Sequence, residues 1–163
     1  MGCNELKTFL EKYNPSTQMD ICKDNNSTFF GGYPTLAELN AEWGCNSAIM
    51  WLVPQLYNLS EFCGCKEKLS AEAMQECAKL IVRNYYYLSI SEMMMFFIKF
   101  KSGSYGQFYG AIDPIKILMS INTFTLYRGF AIECHDREMD RLERENESNN
   151  AISREEYYKS KNK

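Results

Sequence analysis

Apolar residues recur three and four positions apart along this chain, and alternating apolar and polar runs of strand length are scarce. That spacing belongs to helices. A first helix is expected over about residues 4–12, where Leu6, Phe9 and Leu10 line one side and Asn14-Pro15 stops it. Residues 15–33 read as polar and irregular, pinned by Phe29-Phe30 and turned at Gly31-Gly32. Thr35-Leu36-Ala37-Glu38 then has capping-box spacing, in which hydroxyl and carboxylate each accept from a free backbone amide, and Gly44 supplies the stop. The next helix spans about residues 47–62 through Ile49, Trp51, Leu52, Leu56 and Leu59; Pro54 should kink it and Gly64 end it. Ser70 caps a helix to about residue 86, with Met74, Cys77, Ala78, Ile81 and Tyr85 on one face. Ser89-Ile90-Ser91-Glu92 repeats the capping box, and Leu88 and Met93 are spaced as its hydrophobic staple.

The helix that follows reads Met93-Met94-Met95-Phe96-Phe97-Ile98, apolar on every side, which places it in the middle of a bundle. Its methionines suit gap filling in a core better than a groove for a partner, because such a groove would leave part of the helix polar. Asp113-Pro114 opens the last helix, whose apolar residues become intermittent and whose middle is weakened by Gly129. From Glu133 onward charges of both signs crowd the chain, and past Asn146 nearly all large aliphatics are gone. The expected fold is therefore all-α, a compact bundle of about five to six helices with a glycine-and-aromatic loop before a long C-terminal helix. Three regions are expected: an N-terminal helix and irregular segment (1–34), a helical core (35–132), and a charged helical extension ending in a flexible tail (133–163).

Composition adds limits rather than an identity. At 163 residues, 45% of them apolar, the chain can bury one sizeable core. A net charge of −3 marks no global preference for nucleic acid or for acidic partners. The N-terminus has no basic-then-apolar leader pattern and the longest apolar run is too short to span a bilayer, so a cytoplasmic protein with no membrane contact is expected. Seven cysteines without a Cys-x2-Cys pair read as reduced thiols; a zinc site drawn from Cys45, Cys63, Cys65 and Cys77 is the sharper, less favoured alternative.

The chemistry-bearing stretch is residues 99–114, KFKSGSYGQFYGAIDP. Gly103, Gly106 and Gly110 fit neither the dinucleotide fingerprint nor the phosphate loop, and no strand precedes them. Read structurally, these glycines supply positive backbone angles and close approach, Tyr105, Phe108 and Tyr109 pack on the bundle, and Asp113-Pro114 starts the next helix. Read functionally, Lys99, Lys101, Lys116 and Arg128 surround the rings against the single nearby acid Asp113, a combination that can neutralise phosphates and stack on unpaired bases. The same residue types also anchor protein contacts. On either reading Lys99→Ala or Lys101→Ala should leave stability nearly unchanged, whereas Val at Gly106 or Gly110 should not. The only histidine, His135, adjoins Cys134 on a helix, where neighbouring side chains diverge, so no catalytic dyad forms. No catalytic residue, cofactor or metal is expected.

Residues 85–124 resemble a family of uncharacterised small proteins from Bacteroidales genomes and their mobile elements. The likeness runs through Gly103, Tyr105-Gly106, Phe108-Tyr109-Gly110 and Asp113-Pro114, and fainter text covers residues 59–64. It implies homology and transfers no activity. A weaker likeness is to helicase-loader and replication-accessory proteins of phages and plasmids; without a nucleotide-binding loop, such a role would be an adaptor's. The expectation is a non-enzymatic helical adaptor in a bacterial or phage-infected cell, with a protein partner and with single-stranded nucleic acid as a second candidate. Alternatives are a virion or assembly interaction protein and a small phosphate-ligand enzyme. Oligomeric state is left open.

Overall fold

Two capping boxes, held side by side, organise the centre of the computed structural model, which describes residues 2–64, 66–107 and 111–161. Helix α4 (Leu36–Trp43) starts where the Thr35 hydroxyl accepts from the Glu38 amide at 3.2 Å and the Glu38 carboxylate accepts from the Thr35 amide at 2.7 Å. Helix α7 (Ile90–Lys101) starts with the same reciprocal pair between Ser89 and Glu92. The two helix heads are also clasped by backbone: the Leu36 amide donates to the Leu88 carbonyl, Ala37 to Tyr86, and Ile90 to Pro34, at 2.9–3.0 Å. Orphan first-turn donors of α4 and α7 thus find partners in each other's lead-in segments.

Eight α-helices and no strand occur among the described residues. Helix α1 (Gly2–Lys12) leads through a 3₁₀ turn, Pro15–Thr17, into α2 (Gln18–Ile21) and α3 (Asn25–Phe30). The stretch expected to be irregular is therefore mostly short helices. Its polar residues are caps: the Asn14 side chain accepts from the Ser16 amide, and Asp24 forms a capping box with Ser27. These two extra elements carry the helix number past the expected five to six. Helix α5 (Ser47–Phe62) continues through Pro54 at an exposed position, so the interruption falls on the solvent side. Helix α6 (Ala71–Tyr85) buries Met74, Cys77, Ala78 and Ile81, the expected face.

The α7 segment is covered all round, with every residue from Ile90 to Phe97 and also Phe100 buried. Around it, α2, α3 and α5 pack directly. Its Phe96 meets Phe124 of α8 (Pro114–Lys161) edge-on at 6.0 Å, and Phe29 of α3 stacks on the same Phe124 at 6.4 Å. Burial of rings and methionines of this size, worth roughly 1.5–3 kcal/mol each, is the main drive for this assembly. No described helix is long and apolar enough to cross a membrane.

The chain divides into two compact units, Met1–Thr125 and Leu126–Lys163, with the division seven residues before the expected start of the charged extension at Glu133. The second unit belongs to one helix, α8, which passes Gly129 and is described as far as Lys161. Helicity in this polar stretch draws on ion pairs one turn apart, Glu133–Arg137 at 2.5 Å and Arg141 with both Glu138 (2.6 Å) and Glu145 (2.8 Å).

Candidate interaction site

The loop after α7 is built on positive backbone angles at Gly103 (φ 81°) and Gly106 (φ 94°), a region that only glycine enters without strain. Phe108, Tyr109 and Gly110 lie outside the described residues. Of the loop's aromatic set, Tyr105 is half-buried, its ring 5.5 Å from that of Phe96 and 6.0 Å from that of Phe100. That ring extends the core cluster of α7 into the loop. Asp113 is exposed and its Oδ1 accepts from the Ile115 amide at 2.8 Å, the cap expected of an Asp-Pro start.

The cations expected around the rings go to different places. Lys116 lines an open groove of about 680 Å³ with Ser104, Tyr105, Ile115 and Met119. Its ammonium lies 3.9 Å from where a Cβ on Gly106 would stand. Ile115 and Met119 are 64% and 65% exposed, so the groove pairs one cation and one tyrosine with uncovered apolar surface. Lys99 is half-buried on α7. Arg128 belongs to the second unit.

Lys101 serves the fold. Its ammonium donates to Gln18 Oε1 at 2.9 Å and to Asn58 Oδ1 at 2.5 Å, and lies 5.7 Å from the centre of the Phe62 ring. Burial holds its pKa below the ordinary lysine value. Beyond it runs a buried polar chain: Gln18 Nε2 donates to Gln55 Oε1 at 2.6 Å, and Gln55 Nε2 and Trp51 Nε1 both donate to the Tyr13 carbonyl. Sequence reading missed Gln18, Gln55 and Asn58 because each partner lies tens of residues away, with no local spacing to announce the network. A second polar cluster ties the N-terminal segment to α7: Ser91 Oγ donates to the Thr28 carbonyl at 2.7 Å, and Cys22 Sγ to the Ser91 carbonyl at 3.1 Å.

Two of the described thiols are kept unreactive by their surroundings. Burial pushes Cys22 and Cys77 up to about 11, which keeps both protonated near neutrality. Cys65 lies outside the described residues, and among the described ones no group of three or more His, Cys, Asp or Glu side chains is placed to hold a metal.

The second unit presents a different surface. Leu126 and Phe130 are 71% and 66% exposed, and Met139 and Leu142 are 45% and 40% exposed. Between Glu133 and Glu147 seven acids stand against three arginines. That stretch carries net negative charge beside exposed apolar side chains.

Comparison with curated proteins and with solved structures returned no match. A family model does match: residues 68–163, more than half the chain, fit the family of unknown function DUF6633, and the protein belongs to that family.

Proposed function

We propose that the protein is a non-enzymatic helical adaptor, an accessory of DNA replication in phages or mobile elements, which meets a protein partner through the helix of its second unit. One observation carries the reading: large apolar side chains on Leu126–Lys163 are exposed on a unit that contains no second element to cover them. Large apolar side chains left exposed in this way, here Met139 and Leu142, are typical of interaction surfaces. The likeness of residues 85–124 to Bacteroidales mobile-element proteins supports the setting, and the lack of a nucleotide-binding loop in the sequence supports an adaptor over a motor.

The test is affinity capture from the native host with the full chain and with a Met139→Ser, Leu142→Ser variant. Recovery of a replicative helicase or initiator by the parent and its loss by the variant is the expected result. Recovery of only virion or assembly components would move the protein to an assembly role, and identical captures by parent and variant would remove the second unit as the contact.

A further inference from the structure

We infer that the partner of the second unit is a basic amphipathic helix, docked along the seam formed by Ile132, His135, Met139 and Leu142. This rests on the adaptor reading and adds the chemistry of the partner to it. The seam residues are spaced three, four and three apart, the heptad rhythm that keeps knobs on one side of a helix. Ile132 and His135 are half-buried, while Met139 and Leu142 are exposed on a unit made of one helix.

Charge distribution selects the occupant. At about 100° per residue, Asp136 and Glu143 fall roughly 60–80° to one side of the seam, and Glu138 and Glu145 roughly 80–100° to the other. Arg137, Arg141 and Arg144 fall about 140–180° away, on the back of the helix. Between residues 132 and 145 both flanks are therefore acidic and the arginines of that stretch face elsewhere, while Arg128 stands on the seam line one turn before Ile132. A second copy of this chain would set acid against acid in either a parallel or an antiparallel pairing, since flanking positions meet flanking positions in both. Nucleic acid would set phosphate against carboxylate. A helix with an apolar stripe flanked by lysine or arginine meets neither penalty.

The two flanks differ in strength. Arg141 bridges Glu138 and Glu145 at 2.6 and 2.8 Å, which offsets part of that flank's charge. On the opposite flank, Asp136 has only His135 beside it, Nδ1 to Oδ1 3.5 Å, and Glu143 makes no ion pair among the described residues. Recognition of a basic partner should therefore rest mainly on Asp136 and Glu143.

The experiment uses the full chain and two synthetic helices of about four heptads with identical apolar seams, one carrying Lys at its flanking positions and the other Glu. Titration by calorimetry at low salt should show the Lys peptide binding at least about tenfold more tightly than the Glu peptide, with the gap closing as salt is raised. Asp136→Lys, Glu143→Lys should reverse that preference, and far-UV circular dichroism checks that the variant is folded. If the variant does not fold, the parent's choice between the two peptides still decides. Equal binding of both peptides, binding of neither, or a parent that sediments as a dimer through this seam and loses the dimer in Leu142→Glu would overturn the inference. Failure here leaves the capture experiment unaffected: partners lost with Met139 and Leu142 but indifferent to flank charge keep the adaptor and discard the basic helix.

Discussion

Lys101 lies in a segment that reads as a basic loop, yet its side chain is tied into the fold. Lys101 donates to two amide oxygens in a partly buried setting, so Lys101→Ala should lower stability by about 1–2 kcal/mol through loss of those bonds. Equal urea midpoints for this variant and the parent would show that the Lys101 contacts carry no net stability. Gly106 is set chiefly by its backbone angle: at φ 94° a Val should cost more than about 1 kcal/mol, although the neighbouring Lys116 ammonium, 3.9 Å from a Cβ there, makes only ordinary contact. Equilibrium unfolding of Gly106→Val beside the parent measures it. The carboxylates at helix heads bring pH into play. Amide hydrogen bonds from Ser27 and Thr35 hold Asp24 and Glu38 below their ordinary values. Groups depressed in the folded state contribute stability above their unfolded pKa and lose it as pH falls through the folded one. The melting temperature should therefore drop as pH is lowered through the acid range below about 4, and less steeply in Asp24→Asn, Glu38→Gln. A parallel slope in that variant would assign the acid loss to other carboxylates.

At the scale of the element, α7 and α8 show how one kind of pattern ends in two environments. The apolar face of α7 closes on itself around the whole helix, and the bundle covers it. Helix α8 buries Ile117, Ile121 and Phe124, then runs on through a stretch whose apolar residues are sparse, none of the described ones fully buried and many exposed. Gly129 lies in that transition, at an exposed helical position where an added Cβ meets nothing within 4 Å. Gly129→Ala should thus stabilise the helix by about 0.5–1 kcal/mol, by lowering the backbone entropy lost on ordering and adding no clash. The check is the thermal midpoint of the far-UV dichroism at 222 nm; a lower midpoint in the variant would mean that the glycine is required for a bend or a contact. Element boundaries were largely written in the sequence, because Thr35, Ser70, Ser89 and Asp113 act on amides within three residues of themselves. The short helices α2 and α3 were not, since a cap followed by only one turn looks like a polar loop until packing against α7 makes that turn persist.

For the molecule as a whole, the cations expected around the aromatic loop have different surroundings where they are described. Lys101 is tied to Gln18 and Asn58, Arg128 belongs to the other unit, and Tyr105 packs on Phe96 and Phe100. In the first unit Lys116 lines an open groove. Fluorescence anisotropy with a labelled single-stranded oligonucleotide should accordingly show no binding at about 150 mM salt, because one or two phosphate contacts are too few to hold a strand there. Salt-sensitive binding that disappears in Lys99→Ala, Lys116→Ala would restore a nucleic-acid role for this face. The sequence by itself determined the helical class, the capped starts of α4, α6, α7 and α8, and the burial of the Met-Phe run from Met93 to Phe97, since propensity, capping and periodicity act over a few residues. Only the tertiary structure decided which lysine is a strut and which faces a groove, which polar side chains join across the core, and where the first compact unit ends. Those outcomes depend on contacts between segments tens of residues apart, whose register and facing no local spacing encodes.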